Sequence, residues 1–178
     1  MAGHSKWAQI KRQKGSEDAK RSKIFSRLSR LISSESKRSG GDVNSPALRT
    51  IIEKAKKENM PKDVIERAVS KGLGGEGKEM FEVLYEAYGP GGVAILIEGL
   101  TDNKNRTSQE IKHLLSTHGG NLAGVGAASW AFVKKENGWE PEVGAEINEK
   151  EIEELTSLVE ELEKNDDVQN VFTNATQK

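Results

Sequence analysis

Lys6, Lys11, Arg12, Lys14, Lys20, Arg21, Lys23, Arg27 and Arg30 all fall within residues 1–30, with only Glu17 and Asp18 as acids among them. Cations packed this densely, without paired carboxylates, do one kind of chemistry well. They neutralise a run of phosphates and release the counterions condensed there. Trp7 sits inside the cluster, and an indole ring can stack on a base or ribose, an interaction of about 1–3 kcal/mol where a base is engaged. His4 and Ser5 belong to the same basic arm, MAGHSKWAQIKR. The cluster also marks one side of a charge division. Residues 1–75 carry eighteen Lys/Arg and eight Asp/Glu, a net of +10; residues 76–178 carry nine and twenty, a net of -11. The overall charge of -1 hides this split. The implied partner is nucleic acid, bound by the leading half.

Other chemistries find less support. The chain has no cysteine, so disulfides, thiolate zinc sites and Cys nucleophiles are excluded. Gly72-Leu73-Gly74-Gly75-Glu76-Gly77 fits G-x-G-x-x-G in letters only. A dinucleotide site needs a strand before it and a helix after it, and here the order is reversed, so a flexible linker is expected. His113 and His118 do not share a helix face and lack carboxylate company, so no metal site is expected. In the loop Thr101–Thr107, Lys104 stands where a calcium ligand would be needed. Its Asp and Asn are read as helix caps, and Lys104 and Arg106 as a possible extension of the cationic surface. No P-loop, G-x-S-x-G elbow or H-E-x-x-H is present, so neither an enzyme, a cofactor nor a small-molecule substrate is expected.

The elements that must position the cations are legible. Residues 1–15 lack an apolar period and read as an extended arm. Ser16 is the expected N-cap of a helix whose apolar face is Ile24, Phe25, Leu28, Leu31 and Ile32, with Lys20, Lys23, Arg27 and Arg30 on another face. Gly40–Gly41 ends it. Ser45–Pro46 opens a second helix with Leu48, Ile51, Ile52 and Ala55 inward. Asn59-Met60-Pro61 breaks it before a third with Val64, Ile65, Ala68 and Val69. This pair resembles a helix-turn-helix, with Lys54, Lys56, Lys57, Lys62, Arg67 and Lys71 available to phosphates. Its turn lacks the usual glycine and lysines dominate, which favours backbone contact over base reading.

Past the glycines the period changes to two. Phe81–Tyr88 and Val93–Ile97 read as strands around the turn Gly89-Pro90-Gly91-Gly92. Thr107–Glu110 is the expected capping box of a helix closed by Gly119–Gly120. Residues 128–133 read as a third strand, 134–147 as a polar linker, Asn148 and Glu151 as caps of a last helix, and Val168–Phe172 as a final strand. The fold class is α+β: an N-terminal helical domain at 1–75, then an acidic domain at 78–178 with a four-stranded ββαβαβ sheet and two helices on one face. No apolar run approaches a membrane span and the start lacks a signal-peptide core, so a cytoplasmic protein is expected.

Several runs are long and ordered: MAGHSKWAQIK at 1–11, DAKRSKIF at 18–25, NMPKDVIERA at 59–68, YEAYGPGGV at 85–93, LTDNKNRT at 100–107, HGGNL at 118–122 and DDVQNV at 166–171. Together they resemble the YebC family, whose mitochondrial members are translational activators of cytochrome oxidase. The resemblance implies a nucleic-acid-binding regulator of gene expression. Bacterial members are described as probable DNA-binding transcriptional regulators, while others act on translation at the ribosome. Its contact surface would be His4, Ser5, Lys6, Trp7, Lys11, Lys14, Lys20, Arg21 and Lys23. The family usually inserts a third domain into the second, whereas here only the polar segment 134–147 stands in its place. The expected action is on ribosomal or messenger RNA. The alternatives are a DNA-binding transcriptional regulator, or an adaptor whose acidic half binds a basic protein.

Overall fold

The computed structural model describes residues 17–136 and 138–177. The expected cap Ser16 and the arm, with His4, Ser5, Lys6, Trp7, Lys11, Arg12 and Lys14, lie outside the described residues. The chain divides into two compact units, the first ending at Phe81 and the second starting at Glu82.

The first unit is three helices: α1 (Glu17–Ser39), α2 (Pro46–Lys57) and α3 (Lys62–Leu73). Its core joins Leu28 and Ile32 of α1, Leu48 and Ala55 of α2, and Ile65 and Ala68 of α3, with Met60 filling the break between the last two. Each fully buried aliphatic side chain contributes about 1.5–3 kcal/mol through removal from water. Gly40 and Gly41 take positive φ and end α1, Gly41 N–H donating to Ser36 O at 2.9 Å. At α2 the proline sits in the first turn, but Ser45 makes no side-chain capping bond. The fixed φ of Pro46 is what pre-forms this helix start.

The glycines of residues 72–77, of which Gly72 lies in the last turn of α3, are not all the flexible linker expected of them. Gly72 and Gly77 are buried, and a Cβ on either would overlap the carbonyl oxygen of Ser33 in α1. Here glycine permits backbone to lie against helix. Two hydroxyls complete the seam: Ser33 Oγ donates to Ala68 O at 2.9 Å and Ser36 Oγ to Val69 O at 2.7 Å.

The second unit is built on an antiparallel sheet. The strands are β1 (Phe81–Tyr88), β2 (Ala94–Thr101), β3 (Asn121–Ala123), β4 (Phe132–Lys135), β5 (Gly138–Pro141), β6 (Ala145–Ile147), β7 (Val168–Thr173) and β8 (Ala175–Gln177). Two helices, α4 (Lys104–Thr117) and α5 (Glu149–Lys164), interrupt them. The four-stranded sheet has the order β3-β1-β2-β7, while β4–β5 and β6–β8 form separate pairs. The ββαβαβ plan therefore holds, with one exchange of strand. The third strand of the main sheet is the short β3, not residues 128–133. Those residues form a 3₁₀ turn, Ser129–Ala131, and then β4.

That exchange has a packing reason. Ile95 and Ile97 of β2 face the core made with Ile111 and Leu115 of α4 and Ile152, Leu155 and Leu158 of α5. Ala94 and Leu96, pointing the other way, pack on Ala128, Ala131 and Phe132, with Trp139 and Phe172 alongside. Residues 128–133, read as a third strand, and the first part of the segment read as a polar linker thus supply the turn and hairpin that cover the second face of the sheet. The N-cap of α4 also lies four residues before the expected Thr107. Asn103 caps it, accepting from Arg106 N–H at 3.0 Å, and Thr107 lies buried inside the first turn. The capping box of α5 forms as expected: Asn148 Oδ1 accepts from Glu151 N–H at 3.0 Å, and Glu151 Oε2 from Asn148 N–H at 2.9 Å.

Candidate nucleic-acid interface

Helix α1 carries the described part of the basic cluster. At about 100° per residue, Lys20, Lys23, Arg27 and Arg30 fall within an arc of about 80°, opposite the arc of Leu28 and Ile32. Lys20 and Arg21 are exposed, while Lys23, Arg27 and Arg30 are half-buried. The stripe thus presents its charge most openly at the N-terminal end of the helix.

The secondary positions divide by how their charge is used. Lys54, Lys56 and Lys57 are exposed on the last turn of α2, where cations also complement the helix dipole. Lys62 lies 3.6 Å from Glu66, and Arg67 Nη2 lies 3.1 Å from Asp63 Oδ2. The exposed N-terminal surface of α3 is therefore two cations matched by two acids. With Lys71 in its last turn the helix keeps a net charge of only +1, which gives little support to a recognition helix in a DNA groove. Surface pairs of this kind contribute about 0–1 kcal/mol.

In the second unit, Lys104 is exposed at the start of α4. Arg106 has a different setting. Its Nη2 lies 2.8 Å from Asp102 Oδ1 and 2.8 Å from Asp167 Oδ2. Hydrogen bonds that it donates to Asp167 and then Asp102 hold this guanidinium even more firmly protonated than an ordinary arginine. Asp167 is buried and also receives the Thr107 hydroxyl at 2.7 Å, with Thr101 Oγ1 at 3.3 Å. Thr101 and Thr107 lie 2.7 Å apart, and Asn103 N–H donates to Thr101 Oγ1 at 2.9 Å. Thr101, Arg106 and Thr107 thus clasp Asp167. The clasp ties the loop before α4 to the turn before β7, a structural use for residues read from sequence as cap and cationic surface.

A second buried carboxylate escaped the sequence reading. Glu86 Oε1 accepts from Gly126 N–H at 2.7 Å, and Oε2 accepts from Ala128 and Ser129 N–H, each at 2.7 Å. Burial pushes its pKa up, but these backbone donors outweigh it and the group sits below the ordinary carboxylate value. The effect is to pin the loop that follows β3. Trp130 stands on that loop, its indole N–H shared between Ala127 O at 2.9 Å and Tyr88 Oη at 3.0 Å, while the Tyr88 hydroxyl donates to Ala127 O. In sequence, Glu86 sits in a strand whose alternation assigns no partner to it.

Glu98 organises the opposite end of the hairpin. Lys134 Nζ lies 3.0 Å from Glu98 Oε1, with Trp139 Nε1 at 3.1 Å on the same oxygen and Asn170 Nδ2 at 3.1 Å on Oε2. The Lys134 ammonium also stands 4.8 Å from the Trp139 ring centroid. No helix among the described residues is long and apolar enough to cross a membrane.

With this geometry in hand, the chain can be set beside known proteins. Residues 5–75 match the family domain described as TACO1/YebC protein N-terminal domain. Residues 80–137 and 132–175 match TACO1/YebC second and third domain, the two stretches overlapping at β4. A "Probable transcriptional regulatory protein" of Petrotoga mobilis is 56% identical over 137 residues, covering 76% of this chain and 55% of that protein. One from Borreliella burgdorferi is 56% identical over 137 residues, covering 56% of its length. The chain spans about half the length of the curated relatives it matches. A crystal structure of a conserved hypothetical protein from Aquifex aeolicus is similar with a TM-score of 0.69 and 32% identity, covering 90% of this chain and 92% of that one. On both family matches, which together run through most of its length, the chain belongs to the TACO1/YebC family.

Proposed function

We propose that this protein regulates gene expression by gripping nucleic acid through its basic N-terminal half, acting on translation through ribosomal or messenger RNA. The observation that carries this reading is the charge division, +10 over residues 1–75 and -11 beyond, with Lys20, Arg21, Lys54 and Lys57 exposed on the helical unit. The contact set is the arm residues His4, Ser5, Lys6, Trp7, Lys11, Arg12 and Lys14 with Lys20, Arg21, Lys23, Arg27 and Arg30, seconded by Lys54, Lys57 and Lys62. RNA is favoured because the helical unit offers phosphate-binding lysines while α3 has a net charge of only +1, and a cationic arm suits irregular strands. The protein works by binding, without chemistry, cofactor or small-molecule substrate of its own, and in the cytoplasm. It is a short form of the family, residues 1–75 and 78–178 acting as its two domains and residues 134–147 standing where relatives carry an inserted one.

The names of the relatives favour a second reading, a transcriptional regulator on duplex DNA. Ribosome co-sedimentation compared with duplex-DNA affinity at physiological salt separates the two. Association with ribosomes and weak DNA binding is the expected result. Sequence-selective promoter binding without ribosome association would overturn the RNA reading. With about five phosphates neutralised, log K is expected to fall against log[salt] with a slope of roughly -3.5 to -4.5.

A further inference from the structure

Within the acidic half of the chain, residues 111–135 contain no Asp or Glu, and they carry Lys112, Lys134 and Lys135. Trp130 lies on this stretch and is 56% exposed. Large aromatic rings are usually covered, yet this one is held open by design of its surroundings. Ala128 and Ala131 on either side are fully buried and anchor the turn. Glu86 fixes the preceding backbone through three N–H groups. The indole N–H is already shared by Ala127 O and Tyr88 Oη, which sets the plane of the ring.

With its N–H satisfied internally, the ring has no polar atom left to offer, and what it exposes is aromatic carbon. Gly124 and Gly126 stand close by in sequence, and a Cβ built on either would meet nothing within 4 Å. Between them Val125 stands fully exposed at the loop tip. An aromatic hot spot for a protein partner needs a surrounding ring of side chains that excludes water, and one valine between two open glycines does not make such a ring. A flat base needs an accessible aromatic surface, which Trp130 offers. The carboxylate beneath this loop, Glu86, is buried and its charge is met by three backbone N–H donors.

Resting on the nucleic-acid reading above, we propose that Trp130 is a stacking shelf for an unpaired base. It would be a second contact, carried by the acidic half and separate from the basic cluster. Stacking of this kind is sequence-tolerant, because every base has a π face, and it discriminates single strands from duplexes, whose bases are already stacked. The shelf therefore selects unpaired segments.

The test uses the full chain with a labelled oligouridylate single strand and the same strand annealed to oligoadenylate. Trp130→Ala is expected to weaken single-strand binding by about five- to a hundredfold and to leave duplex binding within twofold, with Trp130→Phe recovering most of the loss. Single-strand titration of the native chain is also expected to quench tryptophan emission more than the same titration of Trp130→Phe, a readout that does not depend on Trp130→Ala folding. Equal single-strand affinity of native and Trp130→Ala chains, equal losses on both probes, or equal quenching in native and Trp130→Phe chains would overturn the shelf. So would a Trp130→Ala chain that keeps its nucleic-acid affinity and loses a protein partner instead. If the native chain binds neither probe at low salt, the nucleic-acid function itself falls, and the shelf with it.

Discussion

The hydroxyl of Thr107 donates to Asp167 Oδ2 across 2.7 Å, although sixty residues separate the two. Both groups are buried, so the bond forms where water cannot replace it. Thr107→Val keeps the shape and removes the donor. It is expected to cost about 1–3 kcal/mol, the penalty of a buried carboxylate losing a partner, while Thr107→Ser costs less. A lower urea midpoint at unchanged m-value would verify this, and an unchanged midpoint would refute it.

Arg106 separates structural charge from binding charge. Its guanidinium is engaged by Asp102 and Asp167, whereas Lys20, Arg21, Lys54 and Lys57 are exposed. Arg106→Gln is expected to lower the melting temperature and leave the salt slope of nucleic-acid binding unchanged. Replacing those four residues with Gln is expected to do the reverse. The slope becomes shallower by up to about 0.7–0.9 for each cation that meets a phosphate. Binding isotherms across a salt series, run beside thermal melts, decide both.

Gly72→Ala sets two opposing effects against each other. Alanine inside a helix is favoured over glycine by about 0.8–1 kcal/mol. The new methyl, however, would meet Ser33 O and lie 2.6 Å from Ser36 Cβ. Overpacking against backbone costs about 1–3 kcal/mol, so net destabilisation of the helical unit is expected. A thermal melt in which Gly72→Ala is as stable as the native chain would show that α1 can give way.

Glu86 predicts an acid limit. Its folded pKa lies below the ordinary value of 4.5, because three backbone donors outweigh its burial. A carboxylate shifted in this sense stabilises the fold fully above the unfolded value. That contribution is lost as pH falls below about 4.5 and through the lower folded value. Melting temperature is expected to drop in that window, and Glu86→Gln to show a shallower drop from a starting point about 1–3 kcal/mol less stable. Parallel profiles for the two chains between pH 3 and about 7 would exclude Glu86 as the cause.

Much of the fold was readable because its signals are local. The apolar stripe of α1, the stop at Gly40–Gly41, the pair Asn148 and Glu151, the alternation of β1 and the short apolar run of β2 each depend on neighbours a few residues away. What was missed depends on distance. Thr107 looked like a cap because Glu110 follows at the right spacing, yet its partner Asp167 is supplied by another part of the chain. Strand β3 has three residues, too few to show a period. Residues 128–141 looked like strand and linker because the apolar face they cover, Ala94 and Leu96, becomes a second core surface only once β2 is central. Of the candidate interface, the cations were visible as letters. Which of them is exposed, and which is held by Asp102 and Asp167, required the fold.

Strand β2 is paired along both edges and covered above and below, with Ala94, Ile95, Leu96 and Ile97 all essentially inaccessible. Its amides have the longest route to solvent in their unit, so deuterium uptake there tracks complete opening rather than local fraying. A chain cut before β7 would unzip one edge of that strand and turn the most sheltered backbone of the unit into a template for its own aggregation.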